Sequence, residues 1–143
     1  MTMRNRGLAA DYVRRATVRL QAIEVLHRAA SWPDVVRESQ EAVELALKGL
    51  LRSFGIDPPR LHDVSEVLRG ERERLPDSVH RHVDRMAAIS RDLRRDRELA
   101  FYGAEDLVPS EFYSEEDARR ALEDARFVIG TVASVVSVPG SGD

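Results

Sequence analysis

The sequence predicts an all-α fold, an up-and-down helical bundle of four long helices plus one short helix. Two observations carry that expectation. Apolar residues recur at spacings of three and four along four long stretches. No stretch alternates with the period of two that a strand requires, and no internal repeat is present. The 143 residues suit one domain, read here as residues 1–138 with a frayed tail at 139–143.

The first helix is predicted over about Leu8 to Ala30, with Val13, Ala16, Leu20 and Ile23 on one stripe. Ser31-Trp32-Pro33-Asp34 then starts the second helix, with Ser31 as its cap and Pro33 tolerated in the first turn. That helix should reach Phe54. Val36, Val43, Leu47 and Leu50 share a face that Ala42, Leu45, Ala46 and Leu51 widen, the pattern of a central helix. Gly55 ends it, and Ile56-Asp57-Pro58-Pro59 cannot continue it.

A short helix is predicted from Asp63 to Leu68, capped by Asp63. Asp77 or Ser78 starts the fourth, which buries Val79, Val83, Met86, Ile89, Ser90 and Leu93 and ends near Tyr102-Gly103. After an acidic loop, Ser114-Glu115-Glu116-Asp117 resembles a capping box. Ala118, Leu122, Ala125, Ile129, Val132 and Val136 then form the cleanest stripe in the chain. The wide apolar faces of the second and last helices exceed what a four-helix core covers, and so predict a homodimer.

Composition narrows the chemistry. A net charge of −3 argues against a sequence-blind nucleic-acid coat, though not against a local basic pocket. Lys48 is the only lysine among 22 basic residues, and Arg is the better two-pronged partner for phosphate. The absence of cysteine removes thiolate metal sites and thiol nucleophiles. No apolar run approaches the roughly 20 residues of a membrane span, and Met1 to Gly7 do not read as a secretory leader, so a cytoplasmic location is expected. No glycine-rich phosphate loop is present. His80 and His82, two apart on a helix, diverge by roughly 160°, so no metal site and no cofactor are expected.

The most informative stretch is Arg91 to Gly103. At 100° per residue, Arg97 falls within roughly 40° of Leu93 and 20° of Met86, on the buried stripe. A charge there needs a partner. That partner is an acid such as Glu41 or Glu44, or else the phosphate of a nucleotide or RNA. Arg95, Glu98 and Tyr102 line a different face. His62 either caps the short helix beside Asp63 or reaches the pocket. Lys48 sits among Leu47, Leu50 and Leu51 with its stem against them.

Three stretches resemble the HEPN family (higher eukaryotes and prokaryotes nucleotide-binding domain). They are the second-helix run Gln40 to Leu51, the segment His62-Asp63-Val64, and Arg97 to Tyr102. With the helix order, the resemblance spans about Leu8 to Val136. It implies binding of nucleotide or RNA, and, in members that are metal-independent ribonucleases, an Arg followed after four to six residues by His. In such enzymes the His moves protons and the Arg holds the developing charge as a ribose 2′-OH attacks phosphate. Here Arg97 and Tyr102 keep the spacing with Tyr in place of His. In a longer form, Arg-x4-His-x-Tyr, Arg95 and Tyr102 match and Ala100 takes the His position. Tyrosine titrates near ~10 and is a poor base at neutral pH.

The resemblance also implies a minimal nucleotidyltransferase partner in a toxin–antitoxin pair, with Tyr102 as acceptor. Three readings follow. The first is a nucleotide- or RNA-binding module using Arg97, Arg95, Glu98, His62 and Lys48. The second is a ribonuclease with Arg97 and Tyr102 as catalytic residues. The third is a purely structural helical dimer.

Overall fold

The computed structural model describes residues 3–58, 60, 63–102 and 108–136, without the side chains of 3–6, 97–102 and 109. Most of those residues are helical, with no strand among them. Four long helices dominate: α1 (Met3–Arg28), α2 (Trp32–Ser53), α5 (Val83–Tyr102) and α7 (Glu115–Ala133). Shorter pieces join them: α3 (Val64–Gly70), a 3-10 turn at Arg72–Arg74, and the single turns α4 (Asp77–His80) and α6 (Pro109–Phe112). None of the described helices is long and apolar enough to cross a membrane.

Helix α2 is the hub. Val35, Val36, Ala42, Val43, Ala46, Leu47, Leu50 and Leu51 are all buried, and they occupy too much of the circumference for one neighbour to cover. Helix α2 packs most extensively on α1, then on α7, and also on α5 and α3. Burying each Val or Leu there contributes roughly 1.5–3 kcal/mol. Gly49 permits the closest approach. A Cβ at that position would lie 3.0 Å from the Ala9 carbonyl oxygen and 3.0 Å from Val13 Cγ2, so the α1 backbone rests directly on α2. Polar links at the rim, Arg19 to Glu38 at 2.7 Å and Arg126 to Glu24 at 3.1 Å, are half-exposed and contribute little.

The predicted stripes are the buried ones. Ala118, Leu122, Ala125, Ile129, Val132 and Val136 are in the core, as are Val79, Val83, Met86, Ile89, Ser90 and Leu93. Asp63 accepts from the Ser65 N–H at 2.9 Å, and Ser114 with Asp117 completes a reciprocal capping box.

Three expectations need correction. The fourth long helix is divided, with α4 ending at His80 and α5 starting at Val83. The His82 N–H bonds to Val79 O at 2.8 Å, an i−3 bond, while His80 Nδ1 lies 3.0 Å from Arg72 O. These contacts tighten the turn and tether it to the 3-10 segment. One short helix therefore becomes three, together with the 3-10 turn. Ser31 is the N-cap residue of α2 and its carbonyl accepts from the Val35 N–H at 3.0 Å, but its side chain makes no capping bond to the backbone. Pro33 has no N–H to offer, and the Ser31 hydroxyl donates instead to Asp34 Oδ2 at 2.6 Å.

Helices α1 and α2 end in the same motif on different residues. Ile56 N–H bonds to Leu51 O at 2.9 Å and Gly55 N–H to Arg52 O at 3.1 Å, with Gly55 at φ 75°. At the end of α1, Ser31 N–H bonds to Leu26 O at 3.0 Å and Ala30 N–H to His27 O at 3.0 Å, with Ala30 at φ 60°. Alanine is strained there where glycine is not. Ala30→Gly is therefore expected to raise stability by up to about 1 kcal/mol, after the entropy that glycine costs, seen as a rise of about 2–4 °C in a thermal melt.

Candidate functional site

Helices α5 and α7 both pack on α2 and barely touch each other. A cleft of about 90 Å³ opens between them. Buried Val36, Leu93 and Ala121 form its apolar lining, one residue from each of the three helices. Its charged walls are Asp92, Arg95 and Asp96 from α5, facing Asp117, Arg120 and Asp124 from α7. Each row follows from sequence spacing. Asp92 and Asp96 are four apart beside Leu93, and 117, 120 and 124 step by three and four along the edge of the α7 stripe.

Four carboxylates and two guanidinium groups share this space. Burial pushes the Asp96 pKa up, Asp92 and Asp117 add to the effect, and Arg95 and Arg120 oppose it. Burial likewise raises Asp124, against the pull of Arg85 and Arg120. One turn beyond Asp124, the Arg85 guanidinium stacks over the Phe127 ring at 3.6 Å, and His82 meets the same ring edge-on. Among the described residues no group of His, Asp and Glu is arranged to hold a metal ion.

Arg95 is an exposed cation of the cleft. Its side chain is 65% exposed, 3.7 Å from Asp92 and 3.9 Å from Asp96, distances that leave it free to exchange partners. Helix α5 remains regular through Tyr102. Backbone positions 95 and 102 therefore lie on one side, roughly 20° apart, whereas 97 and 102 are roughly 140° apart. The side chains of Arg97, Glu98 and Tyr102 lie outside the described residues, as does His62, and with them the contact of Arg97 with Glu41 or Glu44. Lys48 is half-buried on α2, about 18 Å along the axis from Val36 in the cleft. Helix α2 thus does not bring it to Arg95.

The structure adds Tyr113, the residue just before the Ser114 cap. It is 5% exposed, and its hydroxyl donates to the backbone carbonyl of Asp96. Burial pushes the phenol up to about 12, and the nearby Asp96 and Asp117 charges add to the shift. This bond ties the start of α7 to the helix that carries Arg95. A signal for it exists: Tyr113 directly precedes the capping Ser114, with Ala118 four residues into the helix, the placement of a hydrophobic staple. Sequence reasoning places Asp117 only in the capping box and does not single out Arg120 or Asp124, because their approach to α5 depends on α2.

The fold and cleft define a helical domain whose charged groove is built by the middle turns of one long helix and the first turns of another. The HEPN domain model matches residues 9–135, and the chain belongs to the HEPN family. That membership makes it a nucleotide- or RNA-related module. No curated protein and no solved structure matches the chain.

Two outcomes follow. Tyr113→Phe is expected to cost about 1 kcal/mol, the net worth of one hydrogen bond, measured by chemical denaturation. The folded Asp124 pKa lies above its ordinary 3.8, so between those values the native state holds a proton that the unfolded chain releases. Stability is lost as pH rises through that window and stays lost above it. Asp124→Asn is expected to melt higher than wild type at pH ~7, with the gain vanishing near pH ~3.

Proposed function

We propose that this HEPN domain binds the phosphate of RNA or of a nucleotide at the second half of α5, with Arg95 as the first contact on the face it shares with Glu98 and Tyr102, and with Arg97 contributing from the opposite side of the helix. The carrying observation is the unbroken course of α5 to Tyr102, which sets positions 95 and 102 on one side of a helix that borders the cleft. An exposed guanidinium with only long ion pairs is suited to take a phosphate in a two-pronged contact. The carboxylates behind it would repel phosphate but accept from ribose hydroxyls or an exocyclic amine. At about 90 Å³ the cleft admits a sugar or the edge of a base rather than a whole nucleotide, since ligand pockets run to roughly 300–1,000 Å³.

A small, one-sided site suits a homodimer in which two copies share one ligand. It also suits a minimal nucleotidyltransferase partner that uses Tyr102 as acceptor, in a toxin–antitoxin pair. In this reading His62 serves the same pocket, Lys48 acts away from it, and the protein works in the cytoplasm.

Fluorescent mixed-sequence RNA titrated in excess chelator tests the assignment. Wild type is expected to bind, with affinity falling at least tenfold in Arg95→Ala and in Arg97→Ala while far-UV circular dichroism is unchanged. The salt slope should fall by about one per lost phosphate contact. Unchanged binding in both variants would sink the site. RNA cleavage in chelator that the variants lose would assign ribonuclease chemistry to the same residues.

A further inference from the structure

Helix α1 turns Ala9, Val13, Ala16 and Ile23 toward α2 and α7 and leaves its opposite side to solvent. That outer side is not uniformly polar. Val18, Ala22, Val25 and Ala29 follow at steps of four, three and four, all exposed, within roughly 60° of arc. Val18 and Val25, at 55% each, are the most exposed large hydrophobic residues among those described. A surface helix needs one apolar face, and this one has two. The step pattern of the second is that of a seam between paired helices.

Arginines flank the seam, Arg14 and Arg28 along one edge and Arg15 along the other, all exposed. None of the three has an ion pair or hydrogen bond among the described residues. The nearby Glu24 carboxylate is already engaged by Arg126 at 3.1 Å. The face is therefore apolar along its centre, cationic at its edges and, among the described residues, uncompensated apart from Asp11 at one end.

We propose that the outer face of α1 docks an amphipathic helix of another protein, one with apolar residues at heptad spacing and acidic residues on both flanks. Charge selects this occupant. If two copies paired antiparallel about Gln21, Arg14 of one copy would face Arg28 of the other along their shared edge, twice. In a parallel pairing Arg14 of each copy would face Arg15 of the other. Both arrangements set like charges together, whereas acidic flanks neutralise all three arginines. Nucleic acid fits less well, because the face has no aromatic side chain for a base to stack on and its valines would gain nothing from a phosphate backbone.

The probe is a fluorescein-labelled three-heptad helical peptide with Leu at the seam positions and Glu at the flanks, beside the same peptide with Lys at the flanks. The full chain is expected to bind the Glu peptide with a micromolar Kd, at least tenfold more tightly than the Lys peptide. The double substitution Val18→Ser with Val25→Ser should weaken that binding at least tenfold at an unchanged melting curve, since both valines are exposed. Equal affinity for the two peptides, or no effect of the substitutions, overturns the proposal. So does light scattering that shows a wild-type dimer split by the double substitution, which would make the face a contact between copies. A loss of labelled RNA binding in the same variant would overturn it in favour of nucleic acid.

Discussion

Helix α2 cannot be left in water on more than a narrow strip of its surface, and the arrangement of the other helices follows from that constraint. Its buried Val, Leu and Ala side chains occupy several faces at once, so α1, α7, α5 and α3 each cover a part. Gly49 draws α1 in until backbone meets backbone. Once α5 and α7 are both committed to α2, they stand side by side with little direct contact, and the groove between them is a by-product of that shared support. The candidate site is thus set by the core, and its walls are the solvent-side edges of two core helices.

Those walls are electrostatically frustrated. Asp96 and Asp124 are pushed toward protonation by burial, while Arg95, Arg85 and Arg120 pull the other way without sealing the charges into close pairs within the groove. A core cleft built only for stability would replace such residues with apolar ones at little loss. Charged groups kept half-buried and incompletely paired are a common mark of sites reserved for a ligand. Family membership points the same way, toward nucleotide or RNA chemistry.

What could be read from the sequence was what local chemistry decides. The α7 stripe, the Ser114–Asp117 box, the Asp63 cap and the Gly55 terminus all rest on residues within a few positions of one another, and each appears as expected. The features missed depend on distant partners. Val79, Val83 and Met86 keep a helical spacing straight through the break at Arg81–His82, so periodicity gave no warning of it. Its tether, His80 to the Arg72 carbonyl, spans a turn that no pattern announces. Ala30 takes a glycine's conformation with no glycine to mark it. The cleft required knowing that α5 and α7 meet over Val36, and the Tyr113 bond crosses from one of them to the other.

The Tyr113–Asp96 bond has a bearing on how this region could diversify. It fastens together the two ends of the stretch from position 97 to position 112, so whatever the chain does between them is closed by the same clasp. The entropy of closing such a span grows only logarithmically, by about 0.6 kcal/mol for each doubling of its length. An insertion before Tyr102 would turn the helix by roughly 100° per residue and part position 95 from 102. Length can therefore change between Tyr102 and α6, past the end of α5, while the clasp still holds the start of α7 against the helix that carries Arg95.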